Sequence, residues 1–148
     1  LGDSWLWLAI CGLMLTIAQR GAQTHRGKRL TAALSLLAVM VATAAVVATV
    51  KQLVKRKRPR TASFLYGAGV DVHSFPSGHA ARLAAIAIWL GGVFPGWGRQ
   101  LWLLAFLVGF SRVHLGIHYI GDVIAGFAVG GFTGWLLRQV WRNKTANR

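Results

Sequence analysis

Acidic residues are nearly missing from this chain. Asp3, Asp71 and Asp122 stand alone against 17 Lys and Arg, for a formal net charge of +14 over 148 residues. Three dispersed carboxylates do not form the oxygen cluster that magnesium or calcium requires, so no metal centre and no cofactor are expected. Cysteine is almost as scarce. The single Cys11 lies in an apolar run and excludes an intrachain disulfide framework. No internal repeat or low-complexity tract is visible. The first apolar stretch also lacks the basic segment that precedes a signal-peptide core.

What remains is apolar and aromatic: 55% of residues are hydrophobic and seven are Trp. That profile excludes an ordinary soluble domain and points to an integral membrane protein. A surplus of positive charge often marks nucleic-acid binding. Here the cations lie between apolar segments, which favours phosphate-bearing substrates and anionic membrane lipids as partners, with no nucleic acid.

Five apolar stretches organise the chain: Trp5–Ala18, Leu30–Val50, Ala80–Phe94, Leu101–Phe110 with an extension to Val113, and Ile120–Val140. About 20 residues cross a bilayer core. The second and fifth stretches reach that length, and the others reach it only with their polar ends included. Trp5, Trp7, Trp97, Trp102, Trp135 and Trp141 flank the stretches as interfacial aromatics do. The expectation is an all-α, polytopic bundle of about five spans in a single domain, 1–148. Threading the spans in zigzag order puts Lys51–Pro76 and Ser111–His118 on one membrane side, together with every polar cluster. The opposite side holds nine of the 17 Lys and Arg, which leans towards a cytoplasmic assignment for that side. The Tyr66–Asp71 run is turn-prone and is expected over the mouth of the site, and the tail Arg142–Arg148 is expected to fray.

Three polar clusters carry the chemistry. Lys51 is followed by six residues and then Arg58-Pro59. Such a run beyond a span also serves as a headgroup anchor. Pro76-Ser77-Gly78-His79 bends the chain and then starts a helix, whose free N–H groups suit phosphate. The same pattern also reads as ordinary N-capping. Ser111-Arg112 precedes His118 by five residues, and Asp122 follows four positions after that histidine. At helical spacing the carboxylate would hold one ring N–H of His118 and free the other nitrogen as nucleophile or base. Arg112 offers a fork suited to phosphate oxygens. His114 is expected to pack or to support rather than react. Arg82, three residues after His79, is a charge within a span, where charge is costly and usually functional; the alternative is snorkelling to the interface.

Together the three clusters resemble the complete signature of the type 2 phosphatidic acid phosphatase superfamily, whose members include bacterial lipid phosphatases and the vanadium haloperoxidases. The resemblance implies a membrane lipid phosphatase that needs no metal. In it His118, oriented by Asp122, attacks phosphorus and forms a phosphohistidine, while His79 protonates the leaving oxygen. Lys51, Arg58, Ser77, Gly78 and Arg112 hold the phosphoryl oxygens. Arginine at position 82 resembles members acting on polyprenyl diphosphates and suggests a contact to a second phosphate. The implied substrates are phosphatidic acid, phosphatidylglycerophosphate, undecaprenyl diphosphate or lipid A, met at the outer face of a bacterial inner membrane. Phosphotransfer to another lipid, haloperoxidase-like chemistry and a purely anchoring role are the alternatives. Membrane members generally have six helices, with the first motif ending the third. Here that motif ends the second stretch, and the chain opens on Leu1, so the family's first helix is expected to be lacking.

Overall fold

The computed structural model describes residues 23–59 and 72–146, and these form four helices. The expected first stretch, Trp5–Ala18, and the Tyr66–Asp71 run lie outside the described residues. Helix α1 (Gln23–Val54) runs without a break because nothing from Leu30 onward removes a backbone donor or adds a glycine. It stops where Lys55 turns to φ 49 and returns its N–H to the Lys51 carbonyl at 3.0 Å. A left-handed residue ends a helix cleanly, even though lysine accepts that conformation less readily than glycine.

Helix α2 (Gly78–Val93) starts from Ser77, whose extended backbone (φ −68, ψ 112) is that of a helix cap. It is the central element. Ala80, Ala81, Leu83, Ala84, Ala85, Ile86, Ala87 and Trp89 are all buried, so it is enclosed rather than one-sided. A short 3₁₀ turn, Pro95–Trp97, leads into α3 (Gly98–His114), and α4 spans Ile120–Ala146. Helices α1 and α3 each pack on α2 and α4, and among the described residues they do not meet each other.

The tightest contact is the seam between α2 and α4. Gly126, Gly130 and Gly134 recur every fourth residue on one face of α4. A Cβ at Gly126 would come within 2.5 Å of the Ser77 carbonyl oxygen, and one at Gly134 within 2.7 Å of the Ala85 carbonyl oxygen. At Gly130 it would strike the Ala81 carbonyl. Small residues at this period let two backbones close to contact distance. Around the seam, Leu36, Val39 and Met40 of α1 pack on Ala85, Ile86 and Trp89, while Leu83 meets Ala105 and Val108 of α3. Thr43 and Thr133 also share a buried hydrogen bond at 2.9 Å between α1 and α4.

The outward faces are apolar. Leu103, Phe106, Leu107 and Phe110 of α3 are more than half exposed, as are Val41 of α1 and Ile124 and Phe132 of α4. Large apolar side chains ringing a bundle suit hydrocarbon rather than water. Two helices carry segments long and apolar enough to span: Ala32–Val54 and Ile120–Asn143. Helices α2 and α3, at 16 and 17 residues, are shorter. Helix α4 runs on through Ala146, so the expected frayed tail is helical over most of its length. Trp97 and Trp135 face outward as interfacial residues would, but Trp102 packs on Phe106 and Phe127, and Trp141 on Trp89.

Candidate active site

The bend between α3 and α4 is fixed by one glycine. Gly116 takes φ 65, donates its N–H to the Val113 carbonyl at 2.9 Å, and lets Ile117 reach back to the Arg112 carbonyl at 3.2 Å. This is the paired closure of a helix end that a left-handed residue permits. The His118 N–H also reaches the Arg112 carbonyl, at 3.3 Å, so the five-residue interval measures one helix ending. His118 therefore sits in the turn before α4, not on a helix one turn from Asp122 as the spacing suggests.

Asp122 is in the first turn of α4 and is completely buried. Its Oδ2 accepts the Tyr119 N–H at 2.9 Å, the return arm of a capping box that also suits the helix dipole. Its Oδ1 accepts Arg56 Nη1 at 3.0 Å. His118 Nδ1 lies 3.6 Å from Oδ2, too long for a hydrogen bond, and among the described residues this buried nitrogen has no other hydrogen-bond partner. On the opposite side of the ring, Arg58 Nη1 stands 3.4 Å from Nε2 and donates to the Ile117 carbonyl at 3.1 Å. A guanidinium can only donate. Nε2 is then the acceptor, and in the neutral ring the proton is on Nδ1, facing Asp122.

The electrostatics agree with a neutral ring. Burial first, and then the Arg58 and Lys51 cations, lower the His118 pKa against the opposing Asp122 carboxylate, to about 4 in all. A neutral imidazole has a lone pair to offer at ordinary pH.

The segment after α1 explains how two arginines converge here. Residues 56–59 leave the helix extended, with Lys57 bridged antiparallel to His73 and the Ser74 N–H on the Arg56 carbonyl at 2.9 Å. Successive side chains of an extended chain alternate. Arg56, though partly exposed, and Arg58 accordingly both reach the α3–α4 turn; Lys55 and Lys57 are exposed. Lys51, buried in the last turn of α1, donates to the His73 carbonyl at 2.8 Å. Ser77 ties the N-terminus of α2 to the same place: its N–H donates to the Asp122 carbonyl at 2.8 Å, and its buried hydroxyl makes no hydrogen bond among the described residues.

Lys51, Arg58, Ser77, Gly78, His118 and Asp122 thus meet at one end of the bundle. His79, half-buried, is the second residue of α2. Arg82 lies one turn further, its Nε on the Gly78 carbonyl at 3.1 Å. The Arg112 side chain contacts Ser111 Oγ at 3.3 Å rather than the ring of His118. His114 is exposed and stacks on Phe110, outside the cluster. Among the described residues no three His, Cys, Asp or Glu converge as a metal site would require. Sequence reasoning missed Arg56 and Ser74. Alternation after a helix stop was the available signal, but it was hidden inside a run of four cations.

The family model of the PAP2 superfamily matches residues 32–146. The chain belongs to the PAP2 superfamily. Its fold is similar to the crystal structure of a transmembrane PAP2 type phosphatidylglycerolphosphate phosphatase from Bacillus subtilis, with a TM-score of 0.73 and 25% identity over 96% of this chain and 72% of that one. A lipid A 4'-phosphatase of Bacteroides thetaiotaomicron is 41% identical over 78 residues, which are 49% of this chain and 33% of that protein. An undecaprenyl-diphosphatase of Sulfolobus acidocaldarius is 39% identical over 72 residues, 46% of this chain and 34% of the relative. The phosphatidylglycerophosphatase B of Bacillus subtilis is 34% identical over 91 residues, 54% and 43% respectively. Each of these three sequence matches spans less than half of the relative's own length.

Proposed function

We propose that this PAP2 chain is an integral membrane phosphatase that cleaves a phosphate monoester or diphosphate of a lipid through a phosphohistidine on His118. The observation that carries the reading is the neutral, buried His118 ring, with Nε2 beside Arg58 and Nδ1 turned to Asp122, next to a helix N-terminus. The Nε2 lone pair attacks phosphorus and the bond to the lipid oxygen breaks. His79 gives its proton to that oxygen. Water then attacks the phosphohistidine while His79 takes a proton back, and the P–N bond pair returns to Nε2. Lys51, Arg58, Arg112, the Ser77 hydroxyl and the Gly78 N–H stabilise the oxygens as charge shifts between them.

A lipid substrate suits a site at helix ends, where a headgroup reaches the cluster while its chains stay among the outward apolar faces. The names of the relatives support a lipid phosphate and divide over which one: lipid A, undecaprenyl diphosphate or phosphatidylglycerophosphate. Arg82, half-buried one turn inside the site, favours a diphosphate, where it would meet the second phosphate. The reading places about five spans in a bacterial inner membrane, with the site on the periplasmic or outer face.

The test is phosphate release in detergent from phosphatidic acid, phosphatidylglycerophosphate and undecaprenyl diphosphate with EDTA present. Wild type releases phosphate, His118→Ala does not, and Arg82→Ala loses the diphosphate selectively. No release from any of the three, nor from lipid A, refutes hydrolysis and leaves phosphotransfer or anchoring. Bromide oxidation in the presence of vanadate identifies the haloperoxidase alternative.

A further inference from the structure

Arg56 lies outside the residues assigned to the phosphate, yet it makes the closest side-chain contact to the buried carboxylate of the cluster. Its Nη1 is 3.0 Å from Asp122 Oδ1, and its guanidinium sits 4.2 Å above the Tyr119 ring. Tyr119 in turn donates its own N–H to Asp122 Oδ2 at 2.9 Å. A completely buried carboxylate needs a cation or donors on both oxygens. Arg56 supplies one oxygen and the Tyr119 backbone the other, and the ring of the same tyrosine holds the guanidinium by a cation–π contact. Any rotation that swung Oδ2 away from His118 would break both contacts.

We propose that Arg56 is a positioning residue: clamped on Tyr119, it holds the Asp122 carboxylate so that Oδ2 faces His118 Nδ1. The proposal rests on His118 as the nucleophile but concerns the group behind it. Arg56 points to the rear of the ring, whereas Arg58, two residues on, stands at the attacking nitrogen Nε2. The two arginines of one extended segment thus divide the work, one orienting and one facing the phosphate. The charged groups acting on His118 are Arg58 and Lys51 from the α1 side and Asp122 from α4, with the Ser74 backbone before α2. Arg112 and His79 sit on the neighbouring ends of α3 and α2. Arg56 is not among the cations acting on His118 directly, so its influence runs through Asp122.

A titration of the His118 ring by NMR in detergent micelles tests this without any substrate. The resonance is assigned by its loss in His118→Ala. In Arg56→Ala the carboxylate is free to turn from Nδ1, its support of the protonated ring weakens, and the His118 pKa falls by about one unit relative to wild type. Arg56→Gln and Arg56→Lys, which keep a donor for Oδ1, give a smaller fall. In an Asp122→Asn background, Arg56→Ala leaves the titration where it was. A rise or no change in Arg56→Ala, or an equal fall in the Asp122→Asn background, overturns the proposal. Kinetics supply a second reading: Arg56→Ala lowers kcat roughly ten- to a hundredfold with KM within about twofold. A variant that instead raised KM tenfold at unchanged kcat would make Arg56 a phosphate contact and overturn the positioning role. If the wild type hydrolyses no lipid phosphate while the titrations behave as stated, the positioning role stands and the lipid phosphatase reading falls.

Discussion

At its polar end the α2–α4 pair carries Ser77, Gly78 and Asp122, each with its own chemistry. One turn on, the closest approach of the same two helices is glycine against alanine. The two regions are one continuous contact: the Ser77 carbonyl lies where a Cβ on Gly126 would be, and the Ser77 N–H donates to the Asp122 carbonyl. The seam has no reactive group, yet it sets the distance between the N-terminus of α2 and the carboxylate behind His118. The polar end is the reverse. Its side chains are the ones to which the proposed reaction is assigned.

That difference predicts opposite responses to small changes. The largest effect comes from Gly130→Ala, where a single Cβ meets the Ala81 carbonyl and no rotamer can relieve it. Overpacking against backbone costs about 3 kcal/mol or more. The variant should lose most of its resistance to thermal or denaturant unfolding in detergent, and its activity with it. Gly131→Ala is the control, since nothing lies within 4 Å of its Cβ. It should match or slightly exceed wild type, by up to about 1 kcal/mol of helix propensity. Equal behaviour of the two variants would refute a close-packed seam.

A second prediction concerns the polar end alone. His118 has its pKa lowered from 6.5 to about 4 by burial and by the nearby cations. As pH falls below about 6.5 the unfolded chain takes up the proton first. Stability is therefore full above that pH and declines down to about 4, by an amount on the order of 3 kcal/mol. His118→Ala should remove this part of the acid slope in a pH series of unfolding measurements. An unchanged slope would mean the folded ring is not held neutral.

The smallest effect is expected at Lys57, whose side chain is exposed on the face opposite Arg56 and Arg58. Lys57→Ala should leave phosphate release within about twofold of wild type. Arg58→Ala, one position on, should lower it by roughly two orders of magnitude, the scale of a lost transition-state donor. Similar losses in both would mean the run acts as undirected charge.

Much of this was legible in advance, for identifiable reasons. The three polar clusters show in the sequence because polar residues are conspicuous in an apolar chain, and their convergence follows from the zigzag of helices alone. The seam was also written there, as Gly126, Gly130 and Gly134, but it passed unremarked among 18 glycines. Helical spacing misled at His118, because Gly116 ends α3 and puts a bend where the pattern suggested one continuous turn. Arg56 was hidden for a different reason. Lys55, Arg56, Lys57 and Arg58 look alike in composition, and only the chain path after the left-handed stop at Lys55 brings the two arginines to the α3–α4 turn. The Trp residues show the same limit: sequence marks an aromatic near a helix end but cannot say whether it faces outward, as Trp97 does, or packs on a neighbour, as Trp141 does.

The central claim is that His118 bears the phosphoryl group. The most direct test is to mix the detergent-solubilised protein with a phosphate-labelled lipid substrate, quench with alkali within one turnover, and follow label on the chain. Label that stays bound in alkali, is released in acid, and is absent from His118→Ala is the predicted result. Label on the chain of His118→Ala, or none on the wild type while it releases phosphate, would contradict the account.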